Sequence, residues 1–330
     1  MNYSTLGRSG IRVSEFALGC WPFAGGKVWG PQEDSDSFEA VHAALDHGIN
    51  FFDTAEGYDD QHHSEDVLGR ALEGRREAAV IATKVSGANL ASGKVAEACD
   101  SSLRRLRTGH IDLYQIHWPN HEVPIEETMH ALERLVAQGK VRALGVCNFG
   151  VQDLADLLAA GRIETDQLPY NLLWRPIEVA IKPKCEANDI GLICYSPLAQ
   201  GLLTGRYASA DDVPDGISRS RLFSNKRPLA NHSDPGCESE AFKAISQVRE
   251  IAAVQGRSMA EVALAWVRRQ AGVVSLLVGA RNRKEVEMNV PAFDVNLADD
   301  VVAEMTKSTE SVKAKLGSNA DMWSSANRMR

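Results

Sequence analysis

A chain of 330 residues with 44% apolar content can fill one large barrel or two ordinary domains, and it has the make-up of a folded rather than a disordered protein. Its formal net charge of −8 argues against nucleic acid and acidic membrane surfaces as partners, since these attract basic proteins. No segment approaches the roughly 18 apolar residues of a membrane span, the N-terminus lacks a signal-peptide core, and six scattered cysteines without a C-x-x-C pair fit reduced thiols, so a cytoplasmic location is expected.

The leading YSTLGRSGIRVS (3–14) reads as a hairpin turned at Ser9-Gly10, of a size to plug the bottom of a barrel. Short apolar runs then alternate with amphipathic stretches. The runs are FALGC (16–20), NFFDT (50–54), AVIATKV (79–85), IDLYQIHW (111–118), VRALGVCNF (141–149), TDQLPYN (165–171), GLICYSP (191–197) and VVSLLVGA (273–280). Their length and β-branched content suit strands buried on both faces.

Between them, Val95, Ala98, Cys99, Ser102, Leu103 and Leu106 fall on one helical face. Ile125, Met129, Leu132, Leu135 and Val136 do the same, with Gly139 as a stop. Phe242, Ile245, Val248 and Ala252 mark a later helix, and SMAEVALAWVRRQ (258–270) another, with Ser258 and Glu261 as a capping box. HHSE (62–65) predicts a helix start capped by Ser64, and the basic clusters GRR (74–76) and RRLR (104–107) read as solvated helix ends.

Eight strand candidates alternating with helices predict one α/β domain over 1–330. Its form is a closed (β/α)8 TIM barrel with an N-terminal hairpin plug and an extended C-terminal tail. A doubly wound open sheet would carry a Gly-rich phosphate turn after its first strand, and FALGCWPFAGGKVWG has no G-x-G-x-x-G.

In such a barrel, working residues stand at the C-terminal ends of strands. Asp53 ends the second run, with Tyr58 on its loop; Lys84 ends the third and His117 the fourth. An ammonium about 4 Å from a phenol stabilises the phenolate by roughly 4 kcal/mol at an effective dielectric of about 20, lowering its pKa by about three units. Lys84 is therefore expected to bring Tyr58 toward neutral pH, with Asp53 holding Lys84 and His117 orienting a carbonyl oxygen. This is general acid–base chemistry on a carbonyl or alcohol without a metal. No H-E-x-x-H, P-loop or G-x-S-x-G motif offers a rival.

The sequence resembles the aldo-keto reductases. The resemblance rests on LGCW (18–21), NFFDTAEGY (50–58), IATK (81–84), IDLYQIHWP (111–119), GKVRALGVCNF (139–149), YSPLAQGLLTGRY (195–207) and VGARN (278–282). It implies a TIM barrel that transfers hydride between NADPH and a carbonyl substrate, with Tyr58 as proton donor, Lys84 tuning it, Asp53 holding Lys84 and His117 orienting the substrate.

It also implies a cofactor groove. Gly19, Trp21 and Asp53 would border the nicotinamide with Cys147, Asn148 and Gln167, whose amides suit its carboxamide. Tyr195 would stack on the ring. Ser196, Pro197, Leu198, Gln200, Gly201 and Leu203 would wrap the pyrophosphate, with Arg206 and Arg219 near the phosphates. Gly279, Ala280, Arg281, Glu285 and Asn289 would face the adenosine. Arg281, a planar donor suited to a 2′-phosphate, points to NADPH over NADH. Cys147 stands where relatives often carry serine, Glu285 where they often carry glutamine, and Met288 where they often carry glutamate. Glu285 is expected to repel phosphate slightly.

Trp21, Tyr58, His117 and Trp118 form the expected substrate-facing set, with Phe23, Trp29 and Trp323 as further aromatic wall for an apolar or sugar-like ring. The tail from residue 312 is expected to fold over the mouth, and 208–237 to act as a flexible cover. The expected partner is a small carbonyl or alcohol compound, and no feature singles out an oligomeric state. Two function classes follow: an NADP-dependent reductase of aldehydes, ketones or sugars (an alcohol or sugar dehydrogenase in reverse), or a nicotinamide-binding regulatory subunit like the potassium-channel β subunits.

Overall fold

The computed structural model describes residues 1–59, 61 and 63–330, so His62 of the predicted helix-starting turn lies outside the described residues. Two short strands, β1 (Tyr3–Thr5) and β2 (Arg12–Ser14), form an antiparallel hairpin. The eight apolar runs become β3 (Phe16–Gly19), β4 (Phe51–Asp53), β5 (Val80–Val85), β6 (Ile111–Ile116), β7 (Val141–Cys147), β8 (Thr165–Pro169), β9 (Gly191–Tyr195) and β10 (Val273–Gly279). They pair in parallel in chain order, and β10 closes the barrel on β3 with Leu276 opposite Phe16 and Gly279 opposite Gly19.

Side-chain alternation along these strands builds the floor of the site. Ala17, Phe51, Ala82, Leu113, Ala143, Ile193 and Leu277 fill the barrel interior, and Leu6, Ile11 and Val13 of the hairpin seal it from below. Two residues further along each strand the same inward direction is taken by Asp53 after Phe51, Lys84 after Ala82, Gln115 after Leu113, and Tyr195 after Ile193. An apolar plug therefore carries a polar layer on its upper side.

The helices form the outer layer, among them Ser92–Arg105, Ile125–Ala137, Glu238–Val254 and Met259–Arg268. Ser258 and Glu261 make the expected capping box, the Ser258 N–H donating to the Glu261 carboxylate at 2.9 Å. The helix His63–Ala71 is capped otherwise than expected. Ser64 is buried inside it and bonds Thr54 and the Cys20 carbonyl, at 2.9 and 2.8 Å. The Asp59 carboxylate instead accepts the N–H groups of Gln61 and His63, at 2.7 and 3.2 Å. An anionic acceptor one turn earlier outcompetes a hydroxyl drawn inward.

In each basic cluster one arginine differs from expectation, while Arg75, Arg104 and Arg107 are exposed as expected. Arg105 donates to the fully buried Glu65 at 2.6 Å, and Arg76 donates to the buried Asp112 at 2.7 Å. A carboxylate taken out of water needs a cation nearby, so these arginines are turned inward to buried acids rather than left to solvent.

The C-terminal tail runs back over the barrel mouth. Arg221 donates to the carbonyls of Asn319 and Asp321, at 2.9 and 3.0 Å, and pairs with Asp234. The segment expected to be a flexible cover is thus tied to the tail by one nearly buried guanidinium. A Cβ at Gly150 would come within 2.2 Å of the Arg330 carbonyl oxygen, so only glycine lets the tail lie there. Among the described residues, no helix is long and apolar enough to cross a membrane.

Candidate active site

Asp53, Lys84, Tyr58 and His117 meet at the mouth of the barrel. The Lys84 Nζ lies 2.5 Å from Asp53 Oδ1 and donates to Tyr58 Oη at 2.7 Å and to the Thr54 carbonyl at 2.8 Å. All three ammonium protons are therefore used. Lys84 and Asp53 are buried almost completely, whereas Tyr58 and His117 are half-buried at the open end. The His117 ring stands edge-on to Tyr58, with centroids 5.9 Å apart.

Gln115 is an unexpected member of the set. Its amide donates to Asp53 Oδ2 at 3.3 Å, and the Gln167 amide donates to the same oxygen at 2.7 Å. The signal for it in the sequence is a count of two residues on from the inward Leu113 along β6. Gln167, expected beside the nicotinamide, spends its amide N–H on Asp53. Between them, Lys84 and the two amides saturate the carboxylate, which suits a charge held in a dry floor.

The electrostatics correct one expectation. Burial first, and then the Asp53 carboxylate, raise the Tyr58 phenol well above its ordinary value. The phenol donates its own proton toward Asp53 Oδ1 at 3.0 Å. Asp53 neutralises the Lys84 ammonium, so the cation that was to acidify the phenol is already balanced, and Tyr58 rests as a neutral acid. His117 is lowered to about 3 by burial and then by the Lys84 charge, so its imidazole is neutral at physiological pH.

Trp21 packs against Tyr58 with centroids 6.0 Å apart, and Trp29 meets Trp21 edge-on at 5.4 Å. Trp118 is covered by the Arg328 guanidinium of the tail, 3.9 Å from its centroid, and Arg328 is held by the buried Asp321 at 2.6 Å. Trp323 lies under Arg219, at 5.3 Å. Phe23 is fully buried and belongs to the packing beneath the loop.

Of the residues expected along a cofactor groove, Gly19, Cys147, Tyr195 and Gly279 end strands on the same rim, and Asn148 follows one of them. Gly19 and Gly279 face each other at the ends of β3 and β10, and a Cβ on Gly279 would press on Pro22 at 3.3 Å. Cys147 is buried with its Sγ 3.7 Å from Gln115 Oε1. Asn148 donates to the His117 carbonyl at 3.1 Å and accepts from the Tyr195 hydroxyl at 3.0 Å.

Backbone strain gathers here. Of the six non-glycine residues with positive φ among those described, four are Asn148, Ser196, Ala199 and Gln200. Gly201 follows at φ 95°, and a Cβ placed there would come no nearer to a neighbour than 3.9 Å, from the Arg206 Cδ. Left-handed backbone in side-chain-bearing residues costs energy and concentrates at ligand sites. Pro197, Leu198 and the buried Leu203 belong to this loop and Arg206 follows it, while Arg219 stacks on Trp323 further along the chain. Neither arginine has a carboxylate partner among the described residues, and the Arg219 Nε is shut from solvent without an acceptor. Strained backbone, open space and unpaired cations together fit a bound anion such as a dinucleotide pyrophosphate.

At the far end of the rim the cations are engaged. Arg281 is paired with Glu285, Ala280 is buried, and Asn289 donates to the Glu285 carbonyl at 2.9 Å. Met288 is exposed. No three His, Cys, Asp or Glu side chains among the described residues converge as a metal site would require.

Known proteins of the same kind bracket this arrangement. The sequence profile described as "Aldo/keto reductase family" matches residues 15–310. The chain is 35% identical to Aldo-keto reductase YhdN of Bacillus subtilis (strain 168), covering 87% of each chain. It is 31% identical to the NADH-specific methylglyoxal reductase of Escherichia coli (strain K12), over 93% of this chain and 98% of that one. The crystal structure of an aldo-keto reductase from Klebsiella pneumoniae in complex with NADPH superposes with a TM-score of 0.74 at 29% identity, over 93% of this chain and 95% of that one.

Proposed function

This chain belongs to the aldo/keto reductase family, and we propose that it transfers hydride between a nicotinamide dinucleotide and a small carbonyl or alcohol compound, with Tyr58 as general acid and base. The observation that carries this reading is the Asp53–Lys84–Tyr58 chain, 2.5 and 2.7 Å per link, opening onto a neutral His117 at the barrel mouth. The proposed cofactor is NADP(H), with NADPH preferred over NADH. Arg281 is the group for a 2′-phosphate, Arg206 and Arg219 suit the pyrophosphate, and Asn148 and Tyr195 border the nicotinamide.

When bound, the reduced dinucleotide supplies the hydride that adds to the carbonyl carbon. Tyr58 rotates its O–H from Asp53 toward the substrate oxygen and gives up the proton; one O–H bond breaks on the phenol and one forms on the product. The alkoxide developing on the substrate is a far stronger base than a phenolate, so the transfer needs no pre-acidified tyrosine. The phenolate left behind keeps the hydrogen bond donated by Lys84 Nζ, 2.7 Å away, until a proton returns. His117, uncharged, makes one hydrogen bond to the same substrate oxygen and fixes its direction. Trp21, packed beside Tyr58, favours a flat apolar or sugar-like ring, so aldehydes, ketones and sugars are the proposed substrates.

A steady-state assay across such compounds, following NADPH absorbance, tests this. Tyr58→Phe is expected to lower turnover about 10³-fold while leaving NADPH affinity within about twofold, the loss usual for a general acid. A wild-type protein that binds NADPH and turns over none of the panel would favour the regulatory-subunit reading instead.

A further inference from the structure

Arg281 is the proposed donor to an adenosine 2′-phosphate, and the structure already fills it with an acid from the helix that follows it. The Glu285 carboxylate accepts the Arg281 backbone N–H at 2.9 Å, Nε at 3.0 Å and Nη2 at 2.7 Å. Arg281 lies just before the N-cap of the helix Arg283–Asn289, and Glu285 in the first turn of that helix reaches back to it. Both partners are anchored from behind. Asn282 Oδ1 accepts the Glu285 N–H at 3.0 Å, and the Gln32 amide donates to the Arg281 carbonyl at 2.7 Å.

The next cation is engaged too, since Arg283 donates to Glu39 at 2.9 Å. Arg206 and Arg219, by contrast, have no carboxylate partner among the described residues. The Arg281–Glu285 pair is partly solvent-exposed, at 45% and 31%, so it can open and exchange.

Resting on the groove assignment above, we infer that Glu285 sets the choice of dinucleotide. Its carboxylate stands on the donors that a 2′-phosphate would use. A phosphorylated adenosine must displace that carboxylate and then sit beside it, charge against charge. An unphosphorylated ribose meets no such competitor, and its 2′-hydroxyl can donate to the same carboxylate. NADPH preference is thereby reduced, and NADH becomes a usable cofactor.

Binding titrations followed by tryptophan fluorescence test this without turnover. The wild-type protein is expected to bind NADPH less than about tenfold more tightly than NADH. Glu285→Gln is expected to tighten NADPH about tenfold and to move NADH by less than about twofold. The adenosine fragments 2′,5′-ADP and 5′-AMP should reproduce the contrast. Arg281→Met closes the cycle: a small effect on NADPH, under about threefold, in the wild-type background, and about tenfold in the Glu285→Gln background.

If Glu285→Gln moves both dinucleotides equally, or leaves their ratio within about twofold of wild type, the selectivity role is overturned while the groove stands. If the wild-type protein binds neither dinucleotide at millimolar concentration, the groove itself is wrong. Circular dichroism of each variant separates these results from misfolding, and Arg281→Met, with its own expected pattern, keeps the inference testable should Glu285→Gln not fold.

Discussion

Two carboxylate–cation pairs, one in the floor of the site and one on its rim, show what burial does to the same chemistry. Asp53 and Lys84 sit in the dry floor, at most 1% exposed, with every proton and nearly every lone pair assigned. Arg281 and Glu285 sit in water, at 45% and 31% exposure. In the floor, neither charge can leave without stranding the other, so the pair is permanent and serves to hold a third group, Tyr58. At the rim, water can take either partner, so the pair is replaceable and can compete with a ligand.

Removing one member of the floor pair should have the largest effect. Lys84→Met leaves the Asp53 carboxylate buried with only neutral donors, and the expected loss is about 3–5 kcal/mol of unfolding free energy, together with nearly all turnover. Urea denaturation measures it, and the double variant Asp53→Asn/Lys84→Met should recover part of the stability. A single-variant loss below about 1 kcal/mol would erase the distinction between the two pairs.

Tyr58→Phe comes next. It keeps the floor intact and removes one hydrogen-bonding hydroxyl, so stability should fall by only about 1 kcal/mol even as turnover collapses. A much larger loss of stability would make Tyr58 part of the floor.

His117 sharpens the comparison through pH. Its folded pKa of about 3 lies below the value of roughly 6.5 expected for the unfolded chain, so between them the unfolded state binds the extra proton. The contribution to stability is complete above pH ~6.5 and is lost progressively as pH falls toward about 3. His117→Asn should flatten that slope in urea midpoints. Ring proton resonances of His117 should show no inflection between about pH 8 and 4; an inflection near 6.5 would mean that the mouth is far wetter than its packing implies.

The smallest effect belongs to the rim. Glu285→Ala should change stability by less than about 1 kcal/mol, as exposed pairs do, while still altering dinucleotide affinity. A stability loss comparable to that of Lys84→Met would show the rim pair to be structural.

Much of this is legible in the chain itself. Apolar runs of strand length, separated by helices with apolar faces, mark the barrel because a strand enclosed on both sides has to be apolar throughout. Asp53, Lys84 and His117 stand out because each lies at the end of such a run. Other features are not legible, for identifiable reasons. Gln115 and Gln167 become supports of Asp53 because barrel closure brings β4, β6 and β8 to one point. Arg105 meets Glu65, and Arg76 meets Asp112, across helix and strand contacts that no local spacing encodes. The Arg281–Glu285 spacing is visible, but taken alone it predicts repulsion of a phosphate rather than occupation of its donor.

The residue order by itself determined which side chains point inward and which elements form, because alternation and helical periodicity are local properties of a covalent chain. Only the tertiary structure decided the charge states. Whether Tyr58 is acidic, Lys84 is spent or Arg281 is free depends on which groups long-range folding sets within hydrogen-bond reach, and on how much water it removes between them.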